Sequence, residues 1–206
     1  MNTLTIAKLF SLLIKIALVE SPDLHSGKHN IYLDGINEMS GIYLDVGKAG
    51  LLISPDSDAV ILSAIGYEES RHRPQSPDGD CSYLTTGTKC RAFGPMQISK
   101  ATPSILGNID ASWKGATLEQ LRDPATNVKA AYRLMVYWKD QCKGGPAQWL
   151  GAWSAGRCTL RPIPMGHRRC ALARALGDAA GVEVTGCDTK LHDRHTGRLI
   201  AALKKD

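Results

Sequence analysis

The chain has 206 residues, 43% of them hydrophobic and 22% charged, with a formal net charge of +5. That length fits one domain with an extension, or one domain and a small second one, and the apolar content supports one core and excludes disorder as the main state. Ten Lys/Arg against five Asp/Glu lie between Arg157 and Asp206, so the whole positive excess sits in the last quarter. Because the charges are scattered rather than blocked, they read equally as a solvated surface or as a face for a polyanion.

In chain order, the first segment is Leu4 to Val19, apolar but interrupted by Lys8 and Lys15. A signal peptide places its charge ahead of an unbroken apolar run and ends in a small-residue cleavage site, which Leu18-Val19-Glu20-Ser21-Pro22 does not offer. The run is also short and charged for a bilayer span. Leu9, Leu12, Leu13, Ile16 and Val19 recur at helical spacing, which predicts a retained amphipathic helix. Ser21 to Gly50 is punctuated by Gly, Asn and Asp, and within it Ile31-Tyr32-Leu33 and Ile42-Tyr43-Leu44-Asp45-Val46 read as short strands or connecting turns. Ser54-Pro55-Asp56-Ser57-Asp58 supplies capping oxygens and acids suited to the positive end of a helix dipole. A helix is expected from there to about Ser70.

Arg71 to Arg91 is rich in Pro, Gly, Asp, Ser and Thr and reads as a long functional loop. Met96 to Ala101 is expected to begin a helical turn checked by Pro103, and Leu118 to Leu121 a short segment. Asp123-Pro124-Ala125-Thr126-Asn127 starts a strong helix over Val128 to Lys139, with Val128, Ala131, Tyr132, Met135 and Trp138 on one face. A further helix covers Ala147 to Trp153 and ends at Ala155-Gly156; Leu160 to Gly166 is linker-like, and Arg168 to Leu176 and His195 to Lys204 read as short helices.

Six cysteines occur, Cys81, Cys90, Cys142, Cys158, Cys170 and Cys187, with no Cys-x-x-Cys pair and no compact Cys/His cluster. An even number in separate loops suits disulfides in an oxidising compartment. Cys81 and Cys90 flank a short Gly/Thr-rich loop and are the expected local pair; the other four allow three pairings. His72, His167, His192 and His195 make no convincing metal site, and no phosphate-binding loop, dinucleotide fingerprint or Gly-x-Ser-x-Gly is present. No metal and no cofactor is expected.

Three short elements carry the chemistry. Glu69-Ser70 closes the apolar segment Ala59 to Glu68, Gly94-Pro95-Met96-Gln97-Ile98-Ser99 follows the long loop, and Ala152-Trp153-Ser154-Ala155-Gly156 follows the strong helix. This order sets one carboxylate at the lip of a helix beside a glycine-opened turn bearing an amide. An apolar setting raises a carboxyl pKa, so that the acid can protonate a poor leaving oxygen near neutral pH. Glu69, followed by Ser70, is the motif's acid; helix geometry turns neighbours by about 100°, so Glu68 is expected on the solvated side. With Asp123-Pro124-Ala125-Thr126-Asn127, these elements resemble the soluble lytic transglycosylase and goose-type lysozyme families over Asp56 to Gly156, about half of the chain.

The resemblance implies a mainly α, lysozyme-like fold with a small helical C-terminal extension. The expected division is 1–50 as an N-terminal helix and irregular segment packed on the core, 51–158 as the catalytic domain and 159–206 as a basic helical extension. It further implies peptidoglycan glycan strands as substrate, with Glu69 acting as acid and then as base. In that scheme the muramyl N-acetyl group assists at the anomeric carbon, Glu69 deprotonates the C6 hydroxyl, and a 1,6-anhydro sugar forms without water. Ser70, Gly94, Met96, Gln97, Trp153 and Ser154 are the implied substrate-binding residues.

Two departures stand out: the family's Tyr-Asn is here Trp153-Ser154, and Tyr132 and Tyr137 are the candidates for the missing hydroxyl. A hydrolase would use Asp78 or Asp80 as its second carboxylate, and a non-catalytic wall-binding protein on the same scaffold is the further alternative. Action in the periplasm without a clear export signal points first to carriage in a bacteriophage virion. A dedicated secretion or conjugation apparatus and an uncleaved or unusual signal are the other settings; contact with virion or secretion-apparatus proteins would run through the basic C-terminal part, and no specific nucleic acid partner is expected.

Overall fold

A computed structural model describes residues 6–20, 30–50, 52–74, 82–84, 87–89, 91–99, 102–187 and 193–204. Over these residues the protein is mainly helical: α1 (Ile6–Glu20), α2 (Asn30–Ala49), α3 (Pro55–Ser70), α4 (Thr102–Ile109), α5 (Leu118–Arg122), α6 (Pro124–Gln141), α7 (Pro146–Ala155), α8 (Pro164–Ala180) and α9 (Arg194–Leu203). A short 3-10 turn, Ala111–Trp113, links α4 to α5. Strand β1 (Ser82–Leu84) pairs antiparallel with β2 (Gly87–Lys89), and β3 (Ala92–Phe93) with β4 (Ile98–Ser99).

The core forms around α3. Ala59, Val60, Ile61, Leu62, Ala64 and Ile65 are all fully buried, and a helix that is apolar all round must be enclosed by others. Helices α2, α6 and α8 enclose it. Ser54 caps it, accepting from Ser57 N–H, and Pro55 occupies the first turn, where a missing N–H is harmless. Asp58 does more than favour the dipole: its carboxylate accepts from Leu52 N–H at 2.6 Å and Ile53 N–H at 2.9 Å.

Helix α2 replaces the strands or turns expected at Ile31–Leu33 and Ile42–Val46. Its buried residues, Ile36, Met39, Tyr43 and Val46, follow the three-to-four spacing of a helix face; the glycines and β-branched residues obscured it. Those glycines permit close packing. A Cβ on Gly47 would meet the Pro55 carbonyl at 2.5 Å, and one on Gly66 would meet the Tyr43 hydroxyl at 1.9 Å. The pairings Gly47 with Pro55 and Tyr43 with Gly66 also set α2 antiparallel to α3.

Helix α1 takes its expected place. Leu9, Leu12, Leu13 and Ile16 are buried, and the helix packs on α2, α8 and α9. Among the described residues no helix is long and apolar enough to cross a membrane. Helix α8 begins at Pro164, inside the segment read as a linker. Gly166 lies so close to α7 that a Cβ there would meet the Ala147 carbonyl at 2.0 Å, and α8 also packs on α3. Part of the basic excess is neutralised internally: Arg168 pairs with Asp193 at 3.1 Å and Arg174 with Asp178 at 2.9 Å.

Two disulfides resolve the open pairings, Cys142–Cys158 and Cys170–Cys187. The first ties the end of α6 to the segment after α7; the second ties α8 to the stretch after it. Their sequence separations of 16 and 17 correspond to about 3 kcal/mol each from restricting the unfolded chain. The expected Cys81–Cys90 pair, Asp78, Asp80 and His192 lie outside the described residues.

Candidate active site

Glu69 occupies the last turn of α3, where that helix meets α7 and α8. Its side chain is 19% exposed. Arg169 of α8, 1% exposed, forms an ion pair with Glu69 Oε1 through Nη2 and donates from Nη1 to the Leu150 carbonyl of α7 at 2.8 Å. Trp153, also on α7, lies close enough to the Glu69 carboxyl to favour its charged form. Burial pushes the Glu69 pKa above the usual carboxylate value; Arg169 pulls it down, Glu68 pushes it up, and Trp153 and Arg71 pull it down, burial being the largest influence.

Glu68 is half-buried rather than on a fully solvated side. Its Oε1 is shut off from solvent and has no hydrogen-bond partner among the described residues. Ser70 is buried and donates to the Gly66 carbonyl at 3.2 Å, a back-bond within the helix. Arg71 ends α3 in the left-handed region, with φ 57°.

Met96 to Ser99 does not begin a helix; Lys100 and Ala101 lie outside the described residues. Ala92–Phe93 pairs with Ile98–Ser99 across a Gly94–Gln97 turn. Gly94 (φ 68°) and Gln97 (φ 47°) both adopt the left-handed region, which a helix start excludes. At Gly94 a side chain is barred twice over, because a Cβ would also meet the Leu121 carbonyl at 2.4 Å. Gln97 Nε2 donates to the Gly94 carbonyl at 2.9 Å. Met96 is fully buried, its sulfur 3.4 Å from where a Cβ on Gly66 would lie. The turn therefore packs on the stretch of α3 just before Glu69.

Asn127 holds that turn. Its amide donates to the Phe93 carbonyl at 2.9 Å and the Leu121 carbonyl at 2.7 Å, and its Oδ1 accepts from Met96 N–H at 2.7 Å. Asp123 caps α6, accepting from Thr126 N–H at 2.8 Å, and Pro124 fills the first turn. The Asp-Pro-x-x-Asn pattern thus starts a helix and anchors the turn from one short stretch.

Of the other sequence candidates, Trp153 is half-buried beside Glu69 and Ser154 is exposed. The Tyr132 hydroxyl donates to Asp58 at 3.1 Å, eleven residues along α3 from Glu69, about 16 Å at the helical rise. Tyr137 packs edge-on against Trp138. A groove of about 1070 Å³ lined by Asp45, Asp110, Trp113, Lys129, Tyr132 and Arg133 lies near that far end of α3 and includes neither Glu69 nor Gln97. Nowhere among the described residues do three His, Cys, Asp or Glu side chains gather as a metal site would require.

The model of the transglycosylase SLT domain matches residues 54–162, more than half of the 206 residues. The chain belongs to this family. Its helical architecture is the lysozyme-like fold of the SLT domain, and its general function is of the peptidoglycan lytic transglycosylase type. No curated protein and no solved structure matches the chain. The matched segment contains Glu69, the Gly94–Gln97 turn, Asn127 and Trp153; Arg169 lies beyond it. Sequence reading missed Arg169 by counting it among scattered surface charges. The available signal was its position at helical spacing among Gly166, Cys170, Ala173 and Leu176, all buried.

Three residues beyond Glu69, His72 is 1% exposed with φ 60°, its Nδ1 3.3 Å from the Tyr43 hydroxyl and its ring beside Tyr67. Burial, aided by Arg71, pushes its pKa down to about 3 from 6.5. The unfolded chain takes up this proton near pH 6.5 and the folded one does not. Stability from His72 is therefore complete above pH 6.5 and is lost as pH falls toward 3, by up to about 1.4 kcal/mol per pH unit. In urea titrations between pH 6.5 and 4, His72→Asn is expected to show a flatter pH dependence than the parent; parallel curves would exclude His72 as the buried base.

Proposed function

We propose that the protein cleaves the β-1,4 bond between N-acetylmuramic acid and N-acetylglucosamine in peptidoglycan, leaving 1,6-anhydro-muramyl ends, with Glu69 as the acid and then the base. The observation that carries this reading is Glu69 itself: a mostly buried carboxyl with a raised pKa, at a helix end, beside the packed Gly94–Gln97 turn. Burial favours the protonated form of such a carboxyl, and a proton held there can be delivered to the glycosidic oxygen. Internal attack by the sugar's C6 hydroxyl then needs one group that returns as a base, and Glu69 fills both roles.

The remaining assignments follow the surface around it. Gln97 and Ser154 orient sugar hydroxyl or acetamido groups, Trp153 offers a partly exposed ring face, and Ser70, Gly94 and Met96 shape the wall behind them. The reaction serves local penetration of the wall, by a phage particle or a secretion apparatus. Digesting purified cell wall and reading the products by mass spectrometry tests the chemistry. Anhydro-muramyl ends are expected; reducing muramyl ends would replace the lyase reading with hydrolysis.

A further inference from the structure

Helix α8 lies outside the segment matched to the SLT domain, yet it reaches the proposed acid. Arg169 is fully enclosed, and its position is set from two sides: Nη1 donates to the Leu150 carbonyl on α7, and Nη2 pairs with Glu69 Oε1. The next residue, Cys170, is bridged to Cys187, and Gly166 brings α8 against α7. A guanidinium so held is rigid before substrate arrives, and burying it beside the Glu69 and Glu68 carboxyls is unfavourable unless they are well placed. The charged groups acting on Glu69 are Arg169 from α8, Glu68 from α3 and Arg71 just past the end of α3, with Trp153 of α7 beside them. His72 and His195 of α9 flank Tyr67, two residues earlier.

Resting on the reading of Glu69 as the acid–base group, we propose that Arg169 is its positioning residue, a cation supplied from beyond the SLT segment that anchors one carboxyl oxygen and stabilises the charge appearing on Glu69 as its proton leaves. The pairing strengthens as the proton moves to the leaving oxygen, so it favours the transition state over the resting acid. Burial and Glu68 act in the opposite sense and favour the acid form. Arg169 touches no substrate; it acts through Glu69. The catalytic unit on this account includes α8.

The test follows the Glu69 carboxyl carbon and the Arg169 side-chain nitrogens by NMR across pH in the whole protein. In the parent, the Arg169 nitrogens are expected to shift with the same midpoint as the Glu69 carbon; nitrogens indifferent to that titration overturn the proposal without any variant having to fold. In Arg169→Met, the Glu69 midpoint is expected to rise by about one pH unit or more, the size of an adjacent opposite charge, while Arg169→Lys stays near the parent. An unchanged midpoint in folded Arg169→Met also overturns it. The alkaline limb of kcat/KM separates the two readings. If the Glu69 carbon moves and the limb does not, Arg169 still positions Glu69 but Glu69 is not the acid.

Discussion

Glu69→Gln is expected to lower wall-lytic activity by at least about a thousandfold, the upper part of the range for a positioned general acid, because the same carboxyl serves both halves of the reaction. Gln keeps the volume and one acceptor oxygen but can neither release nor accept the proton. The substitution has a second consequence. It leaves the Arg169 guanidinium, 1% exposed, facing a neutral amide, and removing one partner of a buried pair destabilises by up to about 3 kcal/mol here, the lower end for such pairs because the amide oxygen still accepts. The variant should therefore melt earlier than the parent. Lysis must be assayed well below both melting temperatures; retained lysis there would remove Glu69 from the chemistry.

Asn127→Ala carries the largest expected loss of stability, about 3–4 kcal/mol. Asn127 is fully buried, and its side chain satisfies Met96 N–H and the Phe93 and Leu121 carbonyls. Each buried group left unpaired costs about 1–3 kcal/mol, with the upper end of the sum reduced by local relaxation. Asn127→Asp keeps the acceptor for Met96 but turns the other oxygen on two carbonyls, so it should not rescue. Urea melts give the stability, and lysis by the folded fraction tells whether the loosened Gly94–Gln97 turn also lowers turnover. A loss below about 1 kcal/mol would mean that the turn is held elsewhere.

What was legible in the sequence came from local rules. Ser54 and Asp123 cap where capping chemistry places them, and the apolar faces of α1 and α6 follow helical spacing. The motif that bears Glu69 was readable because it is short, and it lies within the SLT segment. Helix α2 was not, because Gly41 and Gly47 and the β-branched residues weaken local propensity, and packing on α3 overrides it. The Gly94–Gln97 turn reads locally as a helix start, because nothing nearby reveals that Asn127, thirty-one residues on, claims the Met96 N–H. Arg169 is the extreme case: no local pattern can pair it with a partner 100 residues away.

That separation also orders the assembly of the molecule in time. Contacts between α2 and α3 join neighbours along the chain, whereas joining Glu69 to Arg169 closes a loop of 100 residues, an entropic step that comes late when local pairings are already available. During refolding, amide protection should appear first in the α2–α3 pair and later in α8, and lytic competence should return with the later phase, as pulse-labelled hydrogen exchange beside an activity time course would record. A chain growing from its N-terminus acquires every motif residue of the SLT segment before it acquires the cation. The proposed acid would then lack its partner until α8 has been made.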